Sequence, residues 1–153
     1  MGKSCRLFIV MATCLFALLS LRCGAWAQTQ DSRFTAVGGD AVLDTSTGLM
    51  WAATDNGEDI TWEQAKFYCK NFHGGGHTDW RLPTLAELDT LFDQNSESRF
   101  KTFKSITLTG CCPWTSDSRR NRARTIFFMT GEINTFDQAT SSSMRALPVR
   151  TAR

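Results

Sequence analysis

Residues 77–88 read H-T-D-W-R-L-P-T-L-A-E-L and are the most informative part of the sequence. Trp80 and Leu82 alternate with polar residues, which is the pattern of a half-buried strand. Pro83 fixes its own φ and keeps the residue before it out of the helical region, so the extended segment should end there. Thr84 is a typical helix N-cap, and Glu87, three residues later, completes a capping box. The stretch predicts a framework of strand, turn and helix start that comprises Asp79, Trp80, Arg81, Leu82, Pro83, Thr84 and Glu87.

The first 27 residues have the composition of a secretory signal peptide. Lys3 and Arg6 precede an almost unbroken apolar run at residues 7–21, and the sequence Ala-Trp-Ala at 25–27 is a small-x-small cleavage site. The run is shorter than the roughly 20 apolar residues that span a bilayer, so we expect no membrane span after cleavage. We therefore expect an exported protein, periplasmic or extracellular, with a signal peptide at 1–27, a lead-in at 28–36 and one domain at 37–153.

Cleavage would also change the charge of the protein. The whole chain has a formal net charge of +2, but the signal peptide holds three basic residues and no acidic one, which leaves 14 basic side chains against 15 acidic ones. Such a chain lacks the positive charge that general nucleic-acid binding requires, so we expect no nucleic-acid partner. The remaining 126 residues fit one domain with a sizeable core.

The rest of the chain predicts two helices and several short strands. Apolar residues at 42–43 and 49–51 flank a turn containing Gly48, which indicates a β-hairpin. Thr61, with Gln64 in the capping-box position, predicts a helix that reaches Phe72 and ends at the glycines of 74–76. Further strands are expected at 112–115, 123–129, 132–136 and 144–150, with polar loops at 116–122 and 137–143. Two helices packed on short antiparallel strands make an α+β domain.

The chain carries, in order, LDTSTGLMW at 43–51, AKFYC at 65–69, DWRLPTLAEL at 79–88, WTS at 114–116, a glycine turn at 131 and PVR at 148–150. This series resembles the Lcl C-terminal domain family of bacteria over nearly all of residues 37–151. The resemblance implies a fold similar to C-type lectins and to formylglycine-generating enzymes, which also carry an Arg-Leu-Pro-Thr turn before a Glu-bearing helix. In that light Arg81 and Glu87 are expected to be buried framework partners rather than catalytic residues.

Three cysteines, Cys69, Cys111 and Cys112, remain after signal removal. An odd number in an exported chain predicts one disulfide and one free thiol. We expect Cys69 to pair with Cys111 or Cys112, which would tie the first helix to the later sheet. Redox catalysis by Cys111 and Cys112 is less favoured, because formylglycine-generating enzymes use cysteines that are separated in sequence and a catalytic thiol needs a cation nearby.

A cluster of arginines marks the candidate ligand-binding site, which comprises Arg119, Arg120, Arg122 and Arg124. The planar guanidinium fork pairs well with sulfate, phosphate or carboxylate, so the cluster is a candidate contact for an acidic polysaccharide. The alternative is a solvated loop that keeps a strand edge soluble, for which four like charges need no ligand.

We expect no metal site and no cofactor. Cys69, His73 and His77 are spaced like metal ligands, but three glycines separate the histidines and a structural zinc site needs four ligands. The acidic loop at 55–59 lacks the spacing of an EF-hand, so hydration explains it better than calcium. The sequence also lacks a phosphate-binding loop and the motifs of nucleophilic hydrolases.

These features together favour an exported, non-catalytic binding module for acidic glycans or for a protein surface at the cell envelope. Two alternatives remain open at this point. One is an enzyme related to formylglycine-generating chemistry, and the other is a structural periplasmic partner protein.

Overall fold

The computed structural model describes residues 32–153, and the compact unit begins at Arg33. The expected signal peptide at 1–27 lies outside the described residues, as do residues 28–31 of the lead-in. Residues 34–36, also assigned to the lead-in, belong to the first strand, which pairs with the second. Within residues 32–153, no helix has the length and apolar character needed to cross a membrane.

The described residues form two α-helices and two four-stranded sheets, a mixed α+β fold. The helices are α1 (Trp62–Lys70) and α2 (Leu85–Asp89). The strands are β1 (Phe34–Val37), β2 (Ala41–Asp44), β3 (Leu49–Ala52), β4 (Cys112–Arg119), β5 (Arg122–Phe127), β6 (Glu132–Asp137), β7 (Met144–Arg145) and β8 (Val149–Thr151). The first sheet has the order β1-β2-β3-β8 and the second has the order β6-β5-β4-β7.

The local turn and cap predictions are confirmed. Gly48 has φ 68° between β2 and β3, and Gly131 has φ 81° between β5 and β6, the left-handed conformation that favours glycine. Both helices begin with complete capping boxes, Thr61 with Gln64 and Thr84 with Glu87. The first helix ends earlier than expected, at Lys70, with Asn71 rather than a glycine as its C-cap.

The two helices pack on opposite sides of the β4–β5 pair. On one side, Trp62, Ala65 and Cys69 of α1 share a core cluster with Trp114 of β4 and Ala123 of β5. On the other side, Leu88 of α2 lies in a cluster with Trp51, Ile126 and Phe128, which links the first sheet to the second. The base of this pair therefore packs against both core clusters.

The strand expected at residues 79–82 is reduced to a single bridge. Trp80 and Leu82 are 3% and 4% exposed, whereas Asp79 and Arg81 point outward, so the alternation of burial is confirmed. Only Arg81 pairs with a strand, exchanging two backbone hydrogen bonds of 2.9 Å with Val149. The ladder does not continue because Pro83 has no N–H to donate.

The prediction of a single closing strand at 144–150 is also wrong. The chain splits there into β7, which pairs parallel with β4, and β8, which pairs antiparallel with β3. Between them, Ala146 exchanges hydrogen bonds with Asn56, and Pro148 cannot donate to a ladder. The expectation of an entirely antiparallel arrangement therefore fails at β7.

Candidate functional site: the arginine hairpin

The polar loop expected at 116–122 is instead the outer half of a β-hairpin. Strand β4 extends to Arg119 and β5 starts at Arg122, so that only Arg120 and Asn121 form the turn. Polar side chains do not prevent a strand here, because the ladder is made by backbone groups and β5 is paired on both sides, with β4 and with β6. We call residues 116–124 the arginine hairpin.

The register of the hairpin places three guanidinium groups on one face. Arg119 and Arg122 are direct partners across the hairpin, so their side chains share a face. Arg124, two residues from Arg122, lies on that same face, and its partner on β6 is Thr135. Like charges placed directly opposite each other destabilise a sheet. The pairing of Arg119 with Arg122 is therefore expected to be unfavourable, and it brings two positive charges together.

The turn of the hairpin is fixed in an unusual conformation. Arg120 has φ 56°, in the left-handed region that side chains other than glycine, asparagine and aspartate seldom adopt. The Gln138 side chain donates to the Arg120 carbonyl at 3.2 Å, and the Gln138 N–H donates to the Asn121 carbonyl at 2.8 Å. The Asn121 amide in turn donates to Asp137 at 2.8 Å. These contacts hold the turn in place.

Most of the hairpin's positive charge has no internal partner. Every ion pair among residues 32–153 uses a cation outside the hairpin, namely Arg33, Lys66, Arg81, Arg145 or Arg150. Within the hairpin, Arg122 donates to the Thr135 carbonyl at 2.7 Å. The side chains of Arg119, Arg120 and Arg124 make no hydrogen bond or ion pair within the described part of the chain. All four arginines are exposed.

These arginines line an open groove with a volume of about 960 Å³. The groove is also lined by polar residues that sequence analysis did not single out: Ser116, Asp117, Ser118, Asn121 and Thr135. Thr135 belongs to a different strand, and no pattern in the sequence reveals its position opposite Arg124. The groove thus combines guanidinium forks with hydroxyl, amide and carboxylate groups.

The framework of residues 79–87 holds the base of this groove. The Leu85 N–H, at the first turn of α2, donates to Asp117 at 2.6 Å, and the Ser116 N–H donates to the Pro83 carbonyl at 2.7 Å. A bulge between Trp114 and Ser118 shifts the register of β4 at this point. Bulges bend a strand and re-aim its side chains, which accounts for Asp117 reaching the helix.

Arg81 and Glu87 are paired, but at the surface rather than in the interior. The Arg81 guanidinium donates to both carboxylate oxygens of Glu87, at 2.8 and 2.7 Å. The Arg81 side chain is 44% exposed, so the expectation of a buried pair is wrong. The hydrogen bond from Arg81 lowers the pKa of Glu87 despite its partial burial. Glu87 also accepts from the Thr84 N–H at 2.8 Å, so one carboxylate joins the ion pair to the helix cap.

The disulfide also differs from the expectation of a bridge from Cys69. Cys111 and Cys112 are bonded to each other, and Cys69 is a free, fully buried thiol. Cys69 and Cys112 share one core cluster, but the sulfur of Cys112 is already bonded to its neighbour in the chain. Burial raises the pKa of the Cys69 thiol, which makes it a poor nucleophile.

In the acidic loop at 55–59, the carboxylates of Asp55 and Asp59 bond to protein groups and are not merely hydrated. Asp55 is buried and accepts from the backbone and side chain of Thr109, both at 2.7 Å. Asp59 pairs with Arg145 at 2.6 Å. Residues 32–153 contain no cluster of three His, Cys, Asp or Glu side chains arranged to hold a metal ion.

The molecule is thus a mixed α+β domain with a groove lined by arginines on a hairpin that is hydrogen-bonded at its base and at its turn. The model of the Lcl C-terminal domain matches residues 40–150, and the chain belongs to this family. No curated protein matches the chain.

Proposed function

We propose that this protein is an exported, non-catalytic binding module that holds acidic glycans in the groove of the arginine hairpin. The observation that carries the proposal is a group of four exposed arginines on one hairpin. Arg119, Arg122 and Arg124 share a face, and of the four only Arg122 has a side-chain partner among the described residues. A guanidinium group binds a sulfate or carboxylate through two parallel hydrogen bonds, and this requires its donors to be free.

The other residues that line the groove favour a ligand whose negative charges are carried by sugars. Ser116, Ser118, Asn121 and Thr135 offer hydroxyl and amide groups that can bond to sugar hydroxyls. One oxygen of Asp117 accepts from the Leu85 N–H, and its second oxygen can accept from a ligand hydroxyl. A polymer of bare phosphates has no such hydroxyl to donate.

The costs that the hairpin tolerates also support a binding role. The pairing of Arg119 with Arg122 reduces stability, and so does the left-handed φ of Arg120. Such features cluster at functional sites, where the surrounding structure holds them in place. Two-residue hairpin turns commonly need a residue with positive φ, so the pairing of two arginines is the feature that favours a binding role.

We further propose that the fold is C-type-lectin-like and that the domain works in the periplasm or outside the cell. The two helices and the two sheets of short strands support this fold assignment. The composition of residues 1–27 supports export. The bonded pair Cys111 and Cys112 fits an oxidising compartment.

The test is retention of the purified protein on a heparin matrix with a salt gradient. The wild type should bind at low salt and elute as salt rises, because exposed charges are screened over about 10 Å at 0.1 M. Replacing Arg119, Arg120, Arg122 and Arg124 with Ser should abolish retention and leave the circular dichroism spectrum unchanged.

The matched control removes the same charge elsewhere, by replacing the exposed residues Lys70, Arg99, Lys104 and Arg153 with Ser. This variant should keep most of its retention if the hairpin is the site. Equal losses in both variants would mean that only net charge matters. Absence of wild-type binding at low salt would reject acidic glycans and favour a protein surface as the ligand.

A further inference from the structure

A second groove lies beside α1, and its charged lining is acidic, whereas that of the arginine hairpin is mainly basic. Phe67 on the outer face of α1 is 72% exposed, so its ring can contact a partner. Gln64 and Asn71, three residues before it and four after it, flank the ring on the same helix face. The partly buried Tyr68 ring lines the groove as well, which has a volume of about 510 Å³.

Two carboxylates, Glu58 and Asp59, line this groove, and no lysine or arginine does. The Glu58 carboxylate has no partner within the described part of the chain. Asp59 pairs with Arg145, yet its side chain remains 54% exposed and can accept further hydrogen bonds. We call this site the acidic groove. Its carboxylates and aromatic rings form the environment in which a guanidinium group is bound most favourably.

We propose that the acidic groove receives the arginine hairpin of a second copy of this chain. The two surfaces are complementary in charge, since four arginines line the hairpin's groove and two acids line the other. Near the hairpin's turn, Arg119 and Arg120 are exposed, so their guanidinium groups can reach a groove on another molecule. The guanidinium groups of Arg119 and Arg120 would bond to Glu58 and stack on the ring of Phe67.

The contact forms between copies and not within one chain. The hairpin turn is fixed by Gln138, which also accepts a hydrogen bond from the Trp62 N–H at 3.1 Å. In that position none of the hairpin arginines pairs with Glu58 or Asp59 of its own chain, within the part that the structure describes. The hairpin of one copy and the groove of another are therefore both free to meet.

This contact joins two different surfaces, so it is heterologous and can continue from copy to copy. It should be weak, because exposed ion pairs contribute little in water. Self-association should therefore depend on concentration and on salt. Self-association uses the same hairpin as the proposed glycan site but does not depend on glycan binding. An acidic glycan should compete with the second copy for the hairpin.

The test is sedimentation velocity of the purified protein with two complementary variants. The hairpin variant replaces Arg119, Arg120, Arg122 and Arg124 with Ser, and the groove variant combines Glu58→Gln with Phe67→Ala. Each variant alone should sediment as a monomer while the wild type associates at high concentration. An equimolar mixture should form a dimer of twice the monomer mass and nothing larger, since it retains one intact hairpin and one intact groove.

The control for the groove variant is Glu97→Gln, which removes an exposed acid outside the groove and should associate like the wild type. Raising salt from about 0.05 to 1 M, where the Debye length falls to about 3 Å, should return every associated sample to monomer. A wild type that stays monomeric at low salt overturns the proposal. So does a mixture of the two variants that fails to pair. Heparin retention by the groove variant would show that glycan binding survives independently.

Discussion

Asp117 on β4 accepts a hydrogen bond from the backbone N–H of Leu85 at 2.6 Å, and this contact fixes the arginine hairpin to the first turn of α2. An acidic side chain is favourable there, because the N–H groups at the start of a helix have no partners within the helix. The same residue lines the groove. One carboxylate thus connects the framework at residues 79–87 to the proposed binding surface.

Replacing Asp117 with Asn should tighten polyanion binding without disrupting the fold. Asn keeps a side-chain oxygen that can accept from the Leu85 N–H, although it loses the second oxygen that can accept from a sugar hydroxyl. Removing a negative charge from beside four arginines should outweigh that loss for a polyanion. The variant should elute from a heparin matrix at higher salt than the wild type. Asp89→Asn, an equal charge change at an exposed residue outside the groove, should elute with the wild type. Earlier elution of Asp117→Asn would mean that the hairpin needs the full charge to stay in position.

Replacing Arg119 with Thr should raise stability and weaken polyanion binding. The change removes the repulsion between Arg119 and its direct partner Arg122 and adds a residue that favours strands. The free energy of unfolding should rise by about 0.5 kcal/mol, measured by urea denaturation. Arg99→Thr serves as a control of equal charge, and its heparin retention should change little. A destabilised Arg119→Thr variant would show that Arg119 has a structural role.

Replacing Trp80 with Ala should cost about 2–5 kcal/mol of unfolding free energy, as large-to-small changes in a core do. Trp80 is 3% exposed, packs edge-on against Phe72 at 4.9 Å, and donates to the carbonyls of Gly74 and His77. Trp80→Phe keeps most of the volume and should lose less. Urea denaturation provides the measurement. An unchanged midpoint for Trp80→Ala would contradict the central position of this residue.

Cys69 should resist alkylation in the folded protein. Burial raises the pKa of its thiol and keeps the reagent away. Mass spectrometry after iodoacetamide treatment should find Cys69 unmodified under native conditions and modified once the chain is unfolded without reductant. Cys111 and Cys112 should remain bonded to each other in both samples. A peptide pair that joins Cys69 to either of them would restore the bridge expected from sequence.

Stability should fall in acid because of Asp44. This buried carboxylate is desolvated, which alone would raise its pKa, but hydrogen bonds from Arg33, Ser46 and Thr47 outweigh that effect and hold the pKa well below its usual range. The stabilisation is therefore complete above the ordinary pKa of about 4 and is lost progressively as the pH falls below it.

Asp44→Asn should be less stable at pH 7 by about 3 kcal/mol, since it leaves Arg33 without its partner. Its unfolding free energy should also depend less on pH between about 5 and 2 than that of the wild type. Urea denaturation across this range makes the comparison. Parallel pH curves for the two proteins would rule out Asp44 as a main source of acid sensitivity.

Several local features could be predicted from the sequence because they depend on residues that are close in the chain. The capping boxes at Thr61 and Thr84 need only a side chain and an amide three residues apart. The turn at Gly48 needs only a residue that tolerates positive φ. The alternating burial of Trp80 and Leu82 follows from an extended backbone.

Contacts between segments that are distant in the chain could not be predicted from local sequence. The choice between a loop and a hairpin at residues 116–122 depends on backbone pairing, and polar side chains are compatible with both. Asp117 binds Leu85 across 32 residues of chain, and the partner of Cys112 depends on which sulfur lies within bonding distance. The amino-acid sequence alone shows that four arginines are close together in the chain. The pairing of β4, β5 and β6 decided that three of them share one face, because strand register is set by packing and not by local composition.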